Sequence, residues 1–262
     1  AGDAHLEGFG SRAGVAQGKG ELFAALPANG TAIINADDTY TPLWHDLAAH
    51  CQRLTFGLQH GAVTAQDVIL RADGSDFILI TPQGAQPVMV HLPGAHNVQN
   101  ALGVAAAAQA AGVPLAKIAQ GLAAVQAVGG RSQWLMGFNG SRVLNDTYNA
   151  NPTSLKAGLA LFTALTGEKI LVLGDMAELG ENTLALHAEV GHLARAAGFS
   201  ALYAVGEKSA LAVTSFGAGA QHFATQADLV AVLKPSLQNG TQVLVKGSRS
   251  AGMEKVVAAL QA

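Results

Sequence analysis

The sequence predicts an α/β protein in two differently built halves: a small antiparallel meander with helices, then a mostly parallel sheet with flanking helices. Three observations predict it. Asp73-Gly74 separates two short apolar runs, a hairpin signal. After Pro93-Gly94 the apolar spacing changes from two residues to about 3.6. From Arg142 onward, short buried-strand runs alternate with helix-length runs, the pattern of a parallel sheet covered by helices.

In chain order, the first third reads as strands and turns. Thr31–Asn35 and Arg53–Gly57 are short strands, and Ala65–Ala72, Ser75–Thr81 and Gln86–Leu92 form the meander, with Pro82-Gln83-Gly84 as its second turn. Asn97–Ala111 and Pro114–Val125 read as alanine-rich helices, Pro114 suiting a first turn. Gly129-Gly130 breaks the pattern, so the domains are placed at 1–130 and 131–262. In the second half the strands are Arg142–Asn145, Lys169–Leu173, Ala201–Val205 and Gln242–Val245. The helices are Pro152–Thr166, Thr183–Ala197, Lys208–Phe216, Gln226–Pro235 and Ser250–Gln261.

Composition narrows the function classes. Of 262 residues, 50% are hydrophobic and 13% charged, enough for a core and too apolar for disorder. Fifteen Lys and Arg against 18 Asp and Glu leave a net charge of −3, with no footprint for nucleic acid or an anionic membrane. The single cysteine, Cys51, excludes an intramolecular disulfide and a thiolate zinc cluster, and points to a reducing, cytoplasmic setting. No stretch reaches the ~20 apolar residues that membrane insertion needs. The nine histidines are poorly spaced for zinc; His187 and His192 are five apart and read as surface residues.

Ligands of open α/β sheets bind beyond the carboxyl ends of the strands, so the polar strand-to-helix junctions are the candidate sites. The first, Asn145 to Ser154, holds Asp146 and Asn149; Asn151-Pro152 within it is explained as a helix cap. The second, Leu173 to Glu181, holds Asp175 and Glu178, which also suit a solvated acidic helix start. The third, Lys246-Gly247-Ser248-Arg249-Ser250, reads as an anion site at a helix N-terminus, against the alternative of a serine cap beside two exposed cations. These junctions predict one cleft lined by Asp146, Asn149, Asp175, Lys246 and Arg249. No G-x-x-x-x-G-K-[ST] motif occurs; Gly14 to Gly20 is a near miss.

Taken in order, Ala4-His5-Leu6-Glu7-Gly8-Phe9-Gly10-Ser11, Gly18-Lys19-Gly20-Glu21, Asn35-Ala36-Asp37-Asp38 and the run from Leu92 to Ala101 carry a resemblance, with Gly130-Arg131, Asp146 to Pro152, Gly174 to Gly180 and Lys246 to Ser250. The chain resembles the Mur ligases, ATP-dependent amide ligases of peptidoglycan precursor synthesis, over essentially its whole length. Within them it is similar to the branch that adds D-alanyl-D-alanine to UDP-N-acetylmuramoyl-tripeptide. The resemblance implies the remainder of a central ATPase domain followed by a Rossmann-like C-terminal domain, without the family's N-terminal domain and P-loop. It implies that ATP phosphorylates the tripeptide carboxylate and that the amine of D-alanyl-D-alanine attacks the acyl phosphate. It implies His5 as a Mg2+ ligand and Lys19 as a carbamylated lysine able to bind that cation, a role a bare ammonium cannot fill. Read on its own, Lys19 is an ordinary exposed helix lysine.

By the same resemblance, Asn97 and Asn100 lie on the adenine side of the nucleotide, Arg131 reaches phosphate and Asp146 reaches ribose. His5, Lys19, Arg131 and Asp146 form the catalytic set. Asn149, Asn151, Asp175, Glu178, Lys246, Ser248 and Arg249 face the substrates. The expectation is a cytoplasmic monomer whose 262 residues fold but do not catalyse, for want of a P-loop. The alternatives are another Mur or folylpolyglutamate-type ligase, and a non-catalytic nucleotide- or anion-binding module.

Overall fold

The computed structural model describes residues 1–2 and 6–262. The chain separates into two compact units, one of Ala1–Gly2 and Phe9–Gln126, the other of Ala127–Ala262 together with the described residues 6–8. After one helical turn, α1 (Leu6–Phe9), the first unit contains α2 (Arg12–Ala24), β1 (Thr31–Asn35), α3 (Thr41–Leu47) and β2 (Gln52–Phe56). It continues with β3 (Thr64–Leu70), β4 (Ser75–Thr81), β5 (Gly84–Val90), α4 (Ala95–Ala110) and α5 (Leu115–Ala124).

The expected meander is present, with β4 hydrogen-bonded between β3 and β5. Alternate β4 residues are buried, and Phe77 and Leu79 pack against Val98 and Leu102 of α4 and Ile118 and Leu122 of α5. Pro87 is tolerated because β5 is an edge strand. β1 and β2 pair in parallel.

Two helices, α2 and α3, stand in the first third, which apart from the helical reading of Lys19 reads as strands and turns. α2 carries Gly14, Gly18 and Gly20, and glycine inside a helix costs about 1 kcal/mol relative to alanine. Tertiary packing overrides that penalty. A Cβ on Gly20 would lie 2.4 Å from Leu47 Cδ1, so the bare backbone lets α2 close onto α3. Trp44 of α3 is buried there and donates its indole N–H to the Ala16 carbonyl at 2.9 Å.

The second unit contains β6 (Gln133–Met136), β7 (Arg142–Asp146), α6 (Pro152–Thr163), β8 (Lys169–Gly174), α7 (Thr183–Ala196) and β9 (Ala201–Val205). It ends with α8 (Ala210–Phe216), β10 (Ala220–Phe223), α9 (Gln226–Ser236), β11 (Gln242–Lys246) and α10 (Glu254–Leu260). Its sheet runs β10-β9-β8-β11-β7-β6, parallel throughout except for β6. Strand side chains alternate between two cores. Leu144, Leu171, Leu173 and Leu244 face α6, α7 and α8; Val143, Ile170, Val172, Val243 and Val245 face α9 and α10. Each such fully buried side chain contributes roughly 1.5–3 kcal/mol of transfer free energy.

β6 and β10 were not expected. Both have four residues, and β10 exposes its middle pair, so neither shows the apolar run of the central strands. The last helix also differs: the segment expected as helix from Ser250 is a 3₁₀ turn at Arg249–Ala251, then Gly252 in the left-handed region, before α10 starts.

This topology sets a switch point. The helices after β7 and β8 cover one face and the helix after β11 covers the other, so the chain leaves β11 in the direction opposite to the two strands that flank it, the arrangement that favours ligand binding at the strand ends.

Candidate functional site

β7 and β11 pair in parallel with Asp146 opposite Lys246. Both lie two residues beyond Leu144 and Leu244, so both project to the α6 face. The register therefore joins them although they are 100 residues apart: Lys246 Nζ lies 2.5 Å from Asp146 Oδ2. Lys246 is 1% exposed, and its ammonium also donates to the Asn149 carbonyl at 3.1 Å. An ammonium so deeply buried is tolerable only when paired and hydrogen-bonded in this way.

Asp146 keeps a partly open edge. Its Oδ1 accepts the Ser132 N–H at 3.1 Å, and its side chain remains 17% exposed. Ionised carboxylate oxygens accept more than one hydrogen bond each, so the open edge can accept ligand hydroxyls. Beside it, the Arg131 guanidinium sits over the Tyr148 ring, 3.9 Å from its centroid. Tyr148 N–H in turn donates to the Gly130 carbonyl at 3.0 Å, which ties the Gly130-Arg131 turn to the loop after β7. Thr147 is buried and donates to Asn145 Oδ1 at 2.8 Å. Asn151 caps α6 in a reciprocal capping box with Ser154, and Asn149 Oδ1 accepts the Ala150 N–H.

The expected free anion site at the third junction is not what forms. Lys246 is buried and neutralised by Asp146, because the strand parity turns it inward. The following turn is 3₁₀ rather than a helix start. Of the two cations there, Arg249 is exposed, 3.9 Å from Glu254.

The predicted cleft is likewise divided. Asp146, Lys246 and Asn149 meet directly. Asp175 belongs to a second knot: its carboxylate accepts the Ser209 N–H at 2.8 Å and the Ser209 hydroxyl at 2.6 Å, at the start of α8. Its carbonyl accepts both the Ser248 N–H at 3.0 Å and the Ser248 hydroxyl at 2.7 Å. The loops after β8 and β11 come this close because Gly174 and Gly247 are bare. A Cβ on Gly247 would stand 2.7 Å from Met253 Cγ and 3.3 Å from Gly174 Cα. Glu178 is exposed, with its backbone in the left-handed region at φ 61°.

His187, expected at the surface, is fully buried. Its Nε2 accepts the Met176 N–H at 2.9 Å, and its Nδ1 lies 2.7 Å from the Thr183 carbonyl. Burial lowers its pKa, against the opposing pull of that carbonyl. The sequence did contain the signal: His187, Val190, Gly191 and Ala194 recur at i, i+3, i+4 and i+7, the buried face of α7.

The first unit has its own polar cluster at the start of α4. Asn97 donates to the Pro93 carbonyl at 2.8 Å, and Asn100 donates to Asn97 Oδ1 at 3.3 Å. Gln99 donates to Asn35 Oδ1 at 3.2 Å. Asp37 accepts the N–H groups of Leu58 and His60 at 2.6 and 2.9 Å, a local structural task. Lys19 is exposed on α2. His5 lies outside the described residues, and among those described no group of three or more His, Cys, Asp or Glu could hold a metal ion. Sequence reasoning passed over Ser132, Tyr148 and Ser209, whose roles depend on partners distant in sequence or on a turn conformation.

Residues 1–108 match the family profile described as the Mur ligase middle domain, and residues 130–249 that of the Mur ligase glutamate ligase domain. The chain is 42% identical, over 98% of its length and 58% of the relative's, to the UDP-N-acetylmuramoyl-tripeptide–D-alanyl-D-alanine ligase of Escherichia coli. The Haemophilus influenzae protein of the same name is 38% identical over 98% of this chain and 57% of its own. A crystal structure of MurF from Acinetobacter baumannii superposes with a TM-score of 0.90 at 33% identity, covering 98% of this chain and 57% of that one. The chain thus spans under three fifths of the length of the relatives it matches. Two family matches, running in chain order from residue 1 to residue 249, and relatives aligned over nearly all of the chain show that it belongs to the Mur ligase family.

Proposed function

We propose that the chain is part of an ATP-dependent amide ligase that adds D-alanyl-D-alanine to UDP-N-acetylmuramoyl-tripeptide through an acyl phosphate. The observation that carries this reading is the Asp146 carboxylate at the carboxyl end of β7, paired with a buried lysine, 17% exposed, and accepting the N–H of Ser132, the residue after Arg131. The names of relatives 38–42% identical supply the substrates. Asp146 accepts the ribose hydroxyls and Arg131 pairs with phosphate, while Asn97 and Asn100 serve the adenine edge from the first unit. Arg249 and Glu178 meet the peptide substrates. Asn149, Asn151, Asp175, Lys246 and Ser248 hold the loops that present them.

The 262 residues contain no phosphate-cradling glycine-rich lysine loop, so the complete reaction belongs to a polypeptide that supplies one. Mg2+ with His5 and a carbamylated Lys19 completes the proposal. The described residues do not by themselves form a metal site. The family reading and the lone Cys51 favour a cytoplasmic monomer; no helix among the described residues is long and apolar enough to cross a membrane.

The test is a titration of the 262-residue chain with millimolar ADP, followed by amide chemical shifts. Ser132, Asp146 and the segment Asn97–Asn100 are expected to shift, and Asp146→Ala to weaken binding by about 1.5–3 kcal/mol, the range for hydrogen bonds to a charged group. Absence of shifts at Ser132 and Asp146 would overturn the reading.

A further inference from the structure

The buried histidine of α7 has no part in the proposed chemistry, yet its two ring nitrogens join two elements. A backbone N–H can only donate, so the Met176 N–H at 2.9 Å makes Nε2 an acceptor. Nε2 therefore carries no proton, and Nδ1–H donates to the Thr183 carbonyl at 2.7 Å. The neutral Nδ1–H tautomer is the form that satisfies both contacts. One contact fixes the ring to the first turn of α7, and the other fixes the loop after β8.

We propose that His187 is a positioning residue: as its Nδ1–H tautomer it latches the Asp175-Met176 backbone, and through Asp175 it sets the course of the loop after β11. Met176 is fully buried, and the residue before it accepts two hydrogen bonds from Ser248 at its carbonyl and two from Ser209 at its carboxylate. Ser248 is two residues from Lys246, the partner of Asp146. The latch stands at the inner end of this sequence of contacts. Its importance for ligation rests on the proposed function; the latch itself does not.

Protonation opens it. A ring carrying a proton on Nε2 faces the Met176 N–H donor to donor, and that contact is lost. The charged groups bearing on the ring are Asp175 from the loop after β8, which favours the cation, and Lys208 from the segment before α8, which opposes it. Glu189 of α7 is engaged with Lys156 of α6 at 2.9 Å, and α8 carries no titratable side chain.

Two substitutions separate the contacts. In His187→Asn the shorter amide reaches the Nδ1 position and can still donate to Thr183, but nothing accepts the Met176 N–H. In His187→Gln the longer amide places an oxygen near the Nε2 position and restores that acceptor. Hydrogen exchange is measured on the 262-residue chain and its variants, as protection factors for Met176, Ser248 and the core amides Leu171 and Leu244. Leaving a buried N–H unpaired lowers protection at Met176 about tenfold or more in His187→Asn, with a smaller fall at Ser248. His187→Gln recovers much of it, and the core amides hold. In the wild type, protection at Met176 falls selectively as pH is lowered. Unchanged Met176 protection in His187→Asn, equal loss in both variants, or an equal fall at Leu171 and Leu244 would overturn the latch. None of these outcomes bears on ADP binding at Asp146, whose failure would count against the proposed function alone.

Discussion

Asp146 ends and Asp175 follows the two strands that flank β11, and the fold uses them differently. Asp146 pairs with a buried ammonium and accepts one backbone N–H, and an edge stays partly open. Asp175 directs its carboxylate to the N–H groups and hydroxyl at the start of α8 and lends its carbonyl to Ser248. One carboxylate is tied to a buried ammonium; the other joins the loop after β8 to the start of α8. Two aspartates at strand ends thus take different partners. The difference lies in what the neighbouring strand end offers: β11 brings a lysine into register with Asp146, whereas the Lys208-Ser209 turn after β9 brings backbone N–H groups and a hydroxyl to Asp175.

The largest expected effect comes from breaking the Asp146 pair. Lys246→Met leaves Asp146 partly buried without its counter-charge, and removing one partner of a buried pair costs about 3–5 kcal/mol. The lower end applies, because the open edge of Asp146 reaches water. Chemical denaturation should show it, and the double variant with Asp146→Leu should recover most of the loss. A single variant as stable as the wild type would mean that the pair contributes no constraint.

The Asp175 side predicts a smaller stability loss and no loss of ligand. Asp175→Ala removes the capping bonds at α8 and should cost about 1–2 kcal/mol. ADP-induced shifts at Ser132 and Asp146 should persist. Their disappearance would show that the two aspartates act together after all.

The smallest effect is the pH dependence contributed by His187. Burial lowers its folded-state pKa below the ordinary value of 6.5, so between those two values the unfolded chain binds the extra proton. The His187 contribution is fully present above about pH 6.5 and is lost as pH falls from there through the lower folded value. Comparing the pH–stability slopes of the wild type and His187→Gln isolates it; identical slopes would show that the histidine does not titrate on unfolding.

Much of this was legible in the chain. The Asp73-Gly74 hairpin, the change of period after Pro93-Gly94 and the strand–helix alternation are local, and each corresponds to an observed element. Asp146 was legible as a strand-end acid. The helix cap at Asn151 was legible because Asn-Pro acts on its own backbone neighbours. The extent of α2 was not, because its glycines oppose a helix until packing supplies the surfaces they fit, Leu47 of α3 at Gly20 and Phe9 at Gly14 and Gly18.

The sequence by itself determined which residues stand at the ends of the strands, since alternation and turn chemistry act over a few residues. Tertiary structure decided what those residues do. The Lys246–Asp146 pair depends on a register between strands 100 residues apart, and it turned an expected anion site into the support of a carboxylate. The burial of His187 depends on α7 packing beneath the loop after β8, which only the assembled sheet brings there. Charge state and exposure are properties of neighbours, and these neighbours come from distant parts of the chain.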